Sequence, residues 1–125
     1  MTSPTQRSLK LLRDAGYQVA ILEHWNGFIK RRQDLWNFGD LLAVKASQNG
    51  SIIVQTTSTA NMSARVNKIR DIAEAQVWLA AGNQIIVHGW AKRGDRGKRK
   101  LWECKVRPIT GEDFAPDCAE LDSAF

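Results

Sequence analysis

Cysteine and histidine are scarce in this sequence, and their scarcity narrows the chemistry open to it. The 125 residues hold two cysteines, Cys104 and Cys118, and two histidines, His24 and His88. Neither pair has the close spacing of zinc ligands, and no CxxC pair or Ser-His-Asp arrangement accompanies them. Two distant cysteines read as free thiols in a reducing compartment. No apolar run approaches the ~20 residues of a membrane helix, and Met1-Thr2-Ser3-Pro4-Thr5 lacks the apolar stretch of a secretory signal. A glycine-rich phosphate loop and internal repeats are missing as well. The expectation is a soluble, cytoplasmic protein with no membrane partner.

Acidic residues are also short over most of the chain. Residues 1–108 carry 18 Lys and Arg against 8 Asp and Glu, a net charge of +10. Glu112, Asp113, Asp117, Glu120 and Asp122 then bring the whole chain down to +5. A domain this basic is suited to a polyanion, and nucleic acid is the commonest one. With 43% hydrophobic and 25% charged residues, the chain can bury one core. We expect a single domain over 1–108 and an acidic, poorly ordered tail over 109–125.

What is present is a clear succession of periodic segments. Ser3-Pro4 reads as a helix cap and first helical residue; Leu9, Leu12 and Ala15 follow at helical spacing, and Gly16 ends the helix. Residues 17–25 read as a strand and 26–37 as a linker. Met62, Val66 and Ile69 mark a second helix, and residues 72–81 a third. Residues 84–90 and 100–107 are strands, the latter alternating Leu101, Glu103 and Lys105 against a buried-side set of Trp102, Cys104 and Val106. His88 reads as structural.

Residues 38–58, FGDLLAVKASQNGSIIVQTTS, organise the rest. Two runs of strand formers, 38–45 and 51–57, flank a turn holding Asn49-Gly50. Asp40 opens the first strand and Gln55 lies inside the second, sharing a face with Thr57. Burying a carboxylate or an amide is costly unless it is paired or binds something. That cost marks the hairpin as a candidate site, with Glu23 nearby at the end of the first strand.

Cations cluster in three places. Lys30, Arg31 and Arg32 sit with Asp34 in the linker, Arg65 and Lys68 on the second helix. Lys92, Arg93, Arg96, Lys98, Arg99 and Lys100 form a basic hairpin tip over 91–99 and the start of the next strand, flanked by Trp90 and Trp102. Cations meet phosphates and indole rings can stack on bases. A solvated surface is the competing reading for each cluster, and core packing for the tryptophans.

In element order the chain resembles the restriction-endonuclease-like, or PD-(D/E)xK, superfamily, closest to the small Holliday-junction-resolvase-like and VRR-NUC-like nucleases of phages and bacteria. Gly39-Asp40-Leu41-Leu42-Ala43 stands where that family has its metal-binding aspartate, and Ile53-Val54-Gln55-Thr56-Thr57 where it has a second acid and a lysine. The resemblance covers roughly residues 4–107. It implies an α/β fold with an αβββαβ core, a central mixed sheet flanked by helices. It also implies hydrolysis of DNA phosphodiester bonds, at branched structures in the resolvase relatives. Mg2+ or Mn2+ would be held by Asp40 and Gln55, with catalytic roles for Asp40, Gln55 and Thr57. Gln55 and Thr57 depart from the family's acid and lysine, and Gln6 stands where relatives have a glutamate. Glu23 and Asp34 then supply the missing charge, and Lys30 stands in for the lysine. The implied partners are DNA ahead of RNA and a second copy of the chain. The alternative is a nucleic-acid-binding module of the same fold that has lost catalysis.

Overall fold

The computed structural model describes residues 3–28, 31–33, 35, 36, 38–94 and 101–114, with 24–26 and 31–33 described as backbone alone. Helix α1 (Pro4–Asp14) starts at Ser3, whose hydroxyl accepts the Gln6 N–H, with Pro4 in the first turn where its missing N–H costs nothing. Its apolar stripe of Leu9 and Leu12 is buried.

Strand β1 (Gln18–Ile21) follows, but the expected strand over 17–25 breaks after Ile21. The N–H groups of Leu22 and Glu23 both donate to the Asp40 carbonyl, at 2.9 and 3.2 Å. Two donors on one acceptor end the regular ladder and turn the chain out of the sheet. It then forms a small hairpin, β2 (His24–Asn26) with β3 (Arg31–Gln33), from the end of the expected strand and the expected linker.

The 38–58 hairpin forms as expected, with β4 (Leu41–Val44) antiparallel to β5 (Ile52–Ser58) and Leu41 opposite Val54. Gly50 in its turn has φ +80°, and a Cβ there would strike the Gly82 carbonyl. A 3-10 turn, Thr59–Asn61, leads into α2 (Met62–Arg70) and α3 (Ala73–Ala80). These carry the chain to β6 (Gln84–Arg93), which lies parallel to β5, and β7 (Leu101–Ile109) returns antiparallel to it. The sheet order is β1-β4-β5-β6-β7.

The result is an α/β fold, a five-stranded mixed sheet with helices on both faces. Period-two alternation along β5 sends Ile53 toward α2 and α3, where it packs with Ile69, Ala75, Ile85 and Val87. Ile52 and Val54 point to the other face and pack with Leu9 and Leu12 of α1. Strand β5 is therefore buried on both sides, the condition that makes polar residues at its end costly. Met62 seats against β6 at Gly89, where a Cβ would collide with its side chain.

Two expectations are corrected at the C-terminal side. Strand β7 stands at the sheet edge, so the alternation of Trp102, Cys104 and Val106 does not bury them as a set; Trp102 is 43% and Val106 50% exposed. The fold also runs past 108. Ile109 is in the core, and a 3-10 turn, Gly111–Phe114, brings Asp113 onto Arg107 at 2.6 Å while Phe114 packs against the α2–α3 core. Arg107, with Arg70 contributing through space, holds the Asp113 carboxyl below its ordinary range. Residues 115–125 of the expected tail, with Cys118, lie outside the described residues. Among the described residues no helix is long and apolar enough to cross a membrane.

Candidate functional site

Asp40 is the residue around which the site is built, and its backbone does as much as its side chain. Its N–H donates to the Val54 carbonyl at 3.0 Å, which fixes it at the mouth of β4 beside β5. Its carbonyl takes the Leu22 and Glu23 N–H groups, which brings Glu23 to the same end of the sheet. The side chain is 5% exposed, and one carboxylate oxygen, Oδ2, accepts three hydrogen bonds. These come from Gln55 Nε2 at 2.7 Å, the Thr56 backbone N–H at 2.8 Å and Thr56 Oγ1 at 3.2 Å. Such charge-assisted bonds offset the cost of burying the carboxylate.

Gln55, 4% exposed, is oriented by the same contacts. Its Nε2 faces the Asp40 carboxylate and the Thr56 carbonyl, so reversing the amide would set oxygen against oxygen. Its Oε1 is consequently left buried with no hydrogen-bond partner among the described residues. Orphaned buried acceptors are rare, because each forfeits the free energy of its lost hydration.

A line of hydroxyls links Asp40 to Glu23. Thr56 Oγ1 lies 2.8 Å from Thr5 Oγ1, which lies 3.2 Å from Glu23 Oε2. The chain Glu23–Thr5–Thr56–Asp40 thus has three oxygen–oxygen links, and the two hydroxyls supply two hydrogens.

These groups surround a cavity of about 430 Å3 at the C-terminal end of β5, closed on the helix side by Asn61 and Arg65 and on the other by the start of α1. Asp40, Gln55, Thr57, Glu23 and Arg65 are thereby brought together as the sequence suggested. Thr5 and Thr56 were not foreseen. Thr56 lies on the strand face that the alternation assigns to packing, and Thr5 reaches it across 51 residues of sequence. Lys68 is exposed on α2, away from the cavity wall, and Arg93 is exposed at the end of β6. Arg31 and Arg32 lie on β3, described as backbone only. Asp34, Lys30, Arg96, Lys98, Arg99 and Lys100 fall outside the described residues.

No family model, curated protein or solved structure matches the chain. The chemistry must therefore come from the donor set itself. Among the described residues no group of three or more His, Cys, Asp or Glu side chains is placed to hold a metal ion. The cavity is lined by the carboxyl-bearing Asp40 and Glu23, by Gln55 and by several hydroxyl-bearing residues. Oxygen donors of this kind are the type that hard cations such as Mg2+ or Mn2+ take.

A second polar cluster lies one turn further along α1. His88 is the β6 neighbour of Thr56 in register. Its Nδ1 lies 2.8 Å from Ser8 Oγ, which accepts the Trp90 indole N–H at 2.8 Å. An indole nitrogen only donates, so Ser8 Oγ accepts there, and one hydrogen, from Ser8 or from His88 Nδ1, serves the other link. Burial lowers the His88 pKa to about 4, which favours the neutral ring. Ser8 is wholly buried, so this pair anchors α1 to the sheet and is closed to a substrate.

Proposed function

We propose that this protein is a divalent-cation-dependent hydrolase of nucleic-acid phosphodiester bonds, acting on DNA ahead of RNA. The observation that carries the proposal is the buried Asp40 carboxylate beside the partnerless Oε1 of Gln55, in an open cavity that also holds Glu23 and Arg65. Support also comes from the element order. Setting aside the β2–β3 hairpin, the extra helix and the edge strand β7, it follows the αβββαβ order of the PD-(D/E)xK nucleases. The basic surface over 1–108 suits the polyanion.

Asp40 and Gln55, through Oε1, would hold the cation. When bound, such an ion polarises a phosphoryl oxygen and lowers the pKa of water. The chain's own residues divide the remaining work. Arg65 draws the phosphate to the cavity and offsets the charge that grows on it during attack. A guanidinium keeps its proton at any working pH, so Arg65 cannot replace the family's lysine as a base. Thr57, at the lysine's position, cannot either. Proton abstraction from the attacking water then falls to Glu23, which accepts a hydrogen bond from Thr5. Two copies of the chain would be needed to cut both strands of a symmetric junction.

One observation favours the reading as a binding module without turnover: Gln55 Nε2 already occupies Asp40 Oδ2, where an acid in its place would repel it and invite a cation. Cleavage of labelled single-stranded, duplex and four-way-junction DNA with Mg2+, Mn2+ or chelator separates the two. The hydrolase requires metal-dependent cleavage that Asp40→Ala abolishes while the variant keeps its fold. Salt-sensitive binding without cleavage would assign the binding module, and cleavage retained by Asp40→Ala would sink the site.

A further inference from the structure

A second cavity, of about 600 Å3, adjoins the carboxylate cavity and shares with it Ser3, Pro4 and Ser58. Its walls are of another kind. Pro4, Trp90, Ala91 and Trp102 line it, and Arg7 and Lys92 stand at its rim. Volumes of about 300–1,000 Å3 are usual for sites that enclose a small molecule or a ring system.

The sheet explains how these residues meet. Trp102 lies opposite Lys92 across the β6–β7 ladder, and Trp90 is two residues before Lys92, so alternation puts all three on the face that α1 covers. Trp90 is fixed in place, since its indole N–H is tied to Ser8. Trp102 is held differently. The Arg7 guanidinium carbon lies 3.6 Å from its ring centroid and the Lys92 ammonium 5.5 Å, while the ring stays 43% exposed on an edge strand. An exposed indole flanked by two cations combines π-stacking surface with phosphate attraction at one spot.

We infer that this cavity receives the base of an unpaired nucleotide next to the phosphate held at Asp40, so that the substrate is a single strand or a junction with a frayed or extruded base. The inference rests on the hydrolase reading for the neighbouring phosphate, and adds which nucleic acid is taken. Three features fix the occupant. The apolar walls suit a flat ring, and Arg7 and Lys92 suit the phosphates on either side of it. The shared wall at the start of α1 sets the cavity beside the carboxylate site, within reach of an adjoining phosphate. A base inside a duplex has both faces in the stack and cannot enter, whereas an unstacked one can.

The test measures binding of the full-length protein in chelator, so that cleavage plays no part. The probes are one sequence as single-stranded DNA, as single-stranded RNA, as DNA duplex, and as single-stranded DNA with abasic sites. Trp102→Ala should weaken single-strand binding about tenfold or more, on the scale of one lost stacking contact. Trp102→Phe should keep most of the affinity, and the wild type should bind the abasic strand as weakly as Trp102→Ala binds the intact one. Duplex affinity should change less than about twofold. The tighter of the two single strands names the nucleic acid. Thermal melting of Trp102→Ala checks that the edge strand still forms. Single-strand binding unchanged in Trp102→Ala, an abasic strand bound as tightly as the intact one, or no nucleic-acid binding at all would each overturn the inference. Asp40-dependent cleavage with no Trp102 effect removes the base slot alone. Trp102-dependent binding with no cleavage removes the hydrolase reading alone.

Discussion

Ser8, His88 and Trp90 are buried together and complete one another, while one turn further back along α1 the cluster around Asp40 leaves the Gln55 amide oxygen without a partner among the described residues. The two clusters grow from the same helix and from neighbouring positions of paired strands, Thr56 beside His88. In the first, two contacts are made by two hydrogens, one from the indole and one within the Ser8–His88 pair. In the second, the buried Gln55 amide oxygen is left without a hydrogen-bond partner among the described residues. A completed buried network holds structure together; an incomplete one is costly and persists where something else completes it. This difference separates an anchor from a site, although a Ser-His pair is, on residue types alone, the more suggestive of catalysis.

The contrast can be broken most sharply by activity. Asp40→Ala should lower metal-dependent cleavage by roughly 100-fold or more, whereas Ser8→Ala should leave the rate per folded molecule within about twofold. Equal losses in the two variants, read in the same cleavage assay, would erase the distinction. Acid should act on the anchor next. His88 titrates near 6.5 when unfolded and about 4 when folded, so between those values the unfolded chain holds the extra proton. Its contribution is fully present above pH 6.5 and is lost as pH falls toward 4. The loss should approach about 3 kcal/mol in denaturant melts, and His88→Gln should flatten that limb.

Ser8→Ala leaves the Trp90 indole N–H and His88 Nδ1 without their partner, and should cost about 1–3 kcal/mol in the same melts. A variant as stable as the wild type would show that the cluster anchors nothing. The smallest effect belongs to Gln55→Glu. It exchanges the orphaned amide oxygen for a carboxylate, and should raise Mg2+ affinity by about tenfold in calorimetric titration. Unchanged affinity would mean that position 55 does not face a bound cation.

Much of the fold could be read in the chain because its signals are local. Ser3-Pro4 with Leu9 and Leu12 marks α1, and the run of strand formers around Gln55 marks β5. The 38–58 hairpin could also be read far enough to set Asp40 against Gln55, since a turn brings near residues together in a predictable register. The break after Ile21 was hidden, because it depends on the Asp40 carbonyl capturing two N–H groups from another strand. The exposure of Trp102 was hidden too. Alternation shows that a strand has two faces, but only the tertiary structure sets β7 at the sheet edge, where Trp102 stays 43% exposed.

By itself, then, the sequence determined the order of helices and strands, the excess of positive charge, and the presence of two polar residues where a buried strand should be apolar. Those follow from backbone geometry and side-chain transfer free energies, which act over a few residues. The tertiary structure alone decided which polar groups meet. Thr5 reaches Thr56 across 51 residues and Ser8 reaches His88 across 80. No periodicity specifies such contacts. They are set by how α1 crosses the sheet, and hydrogen bonds, effective only within about 3.2 Å, turn that crossing into one cluster that is closed and one that stays open.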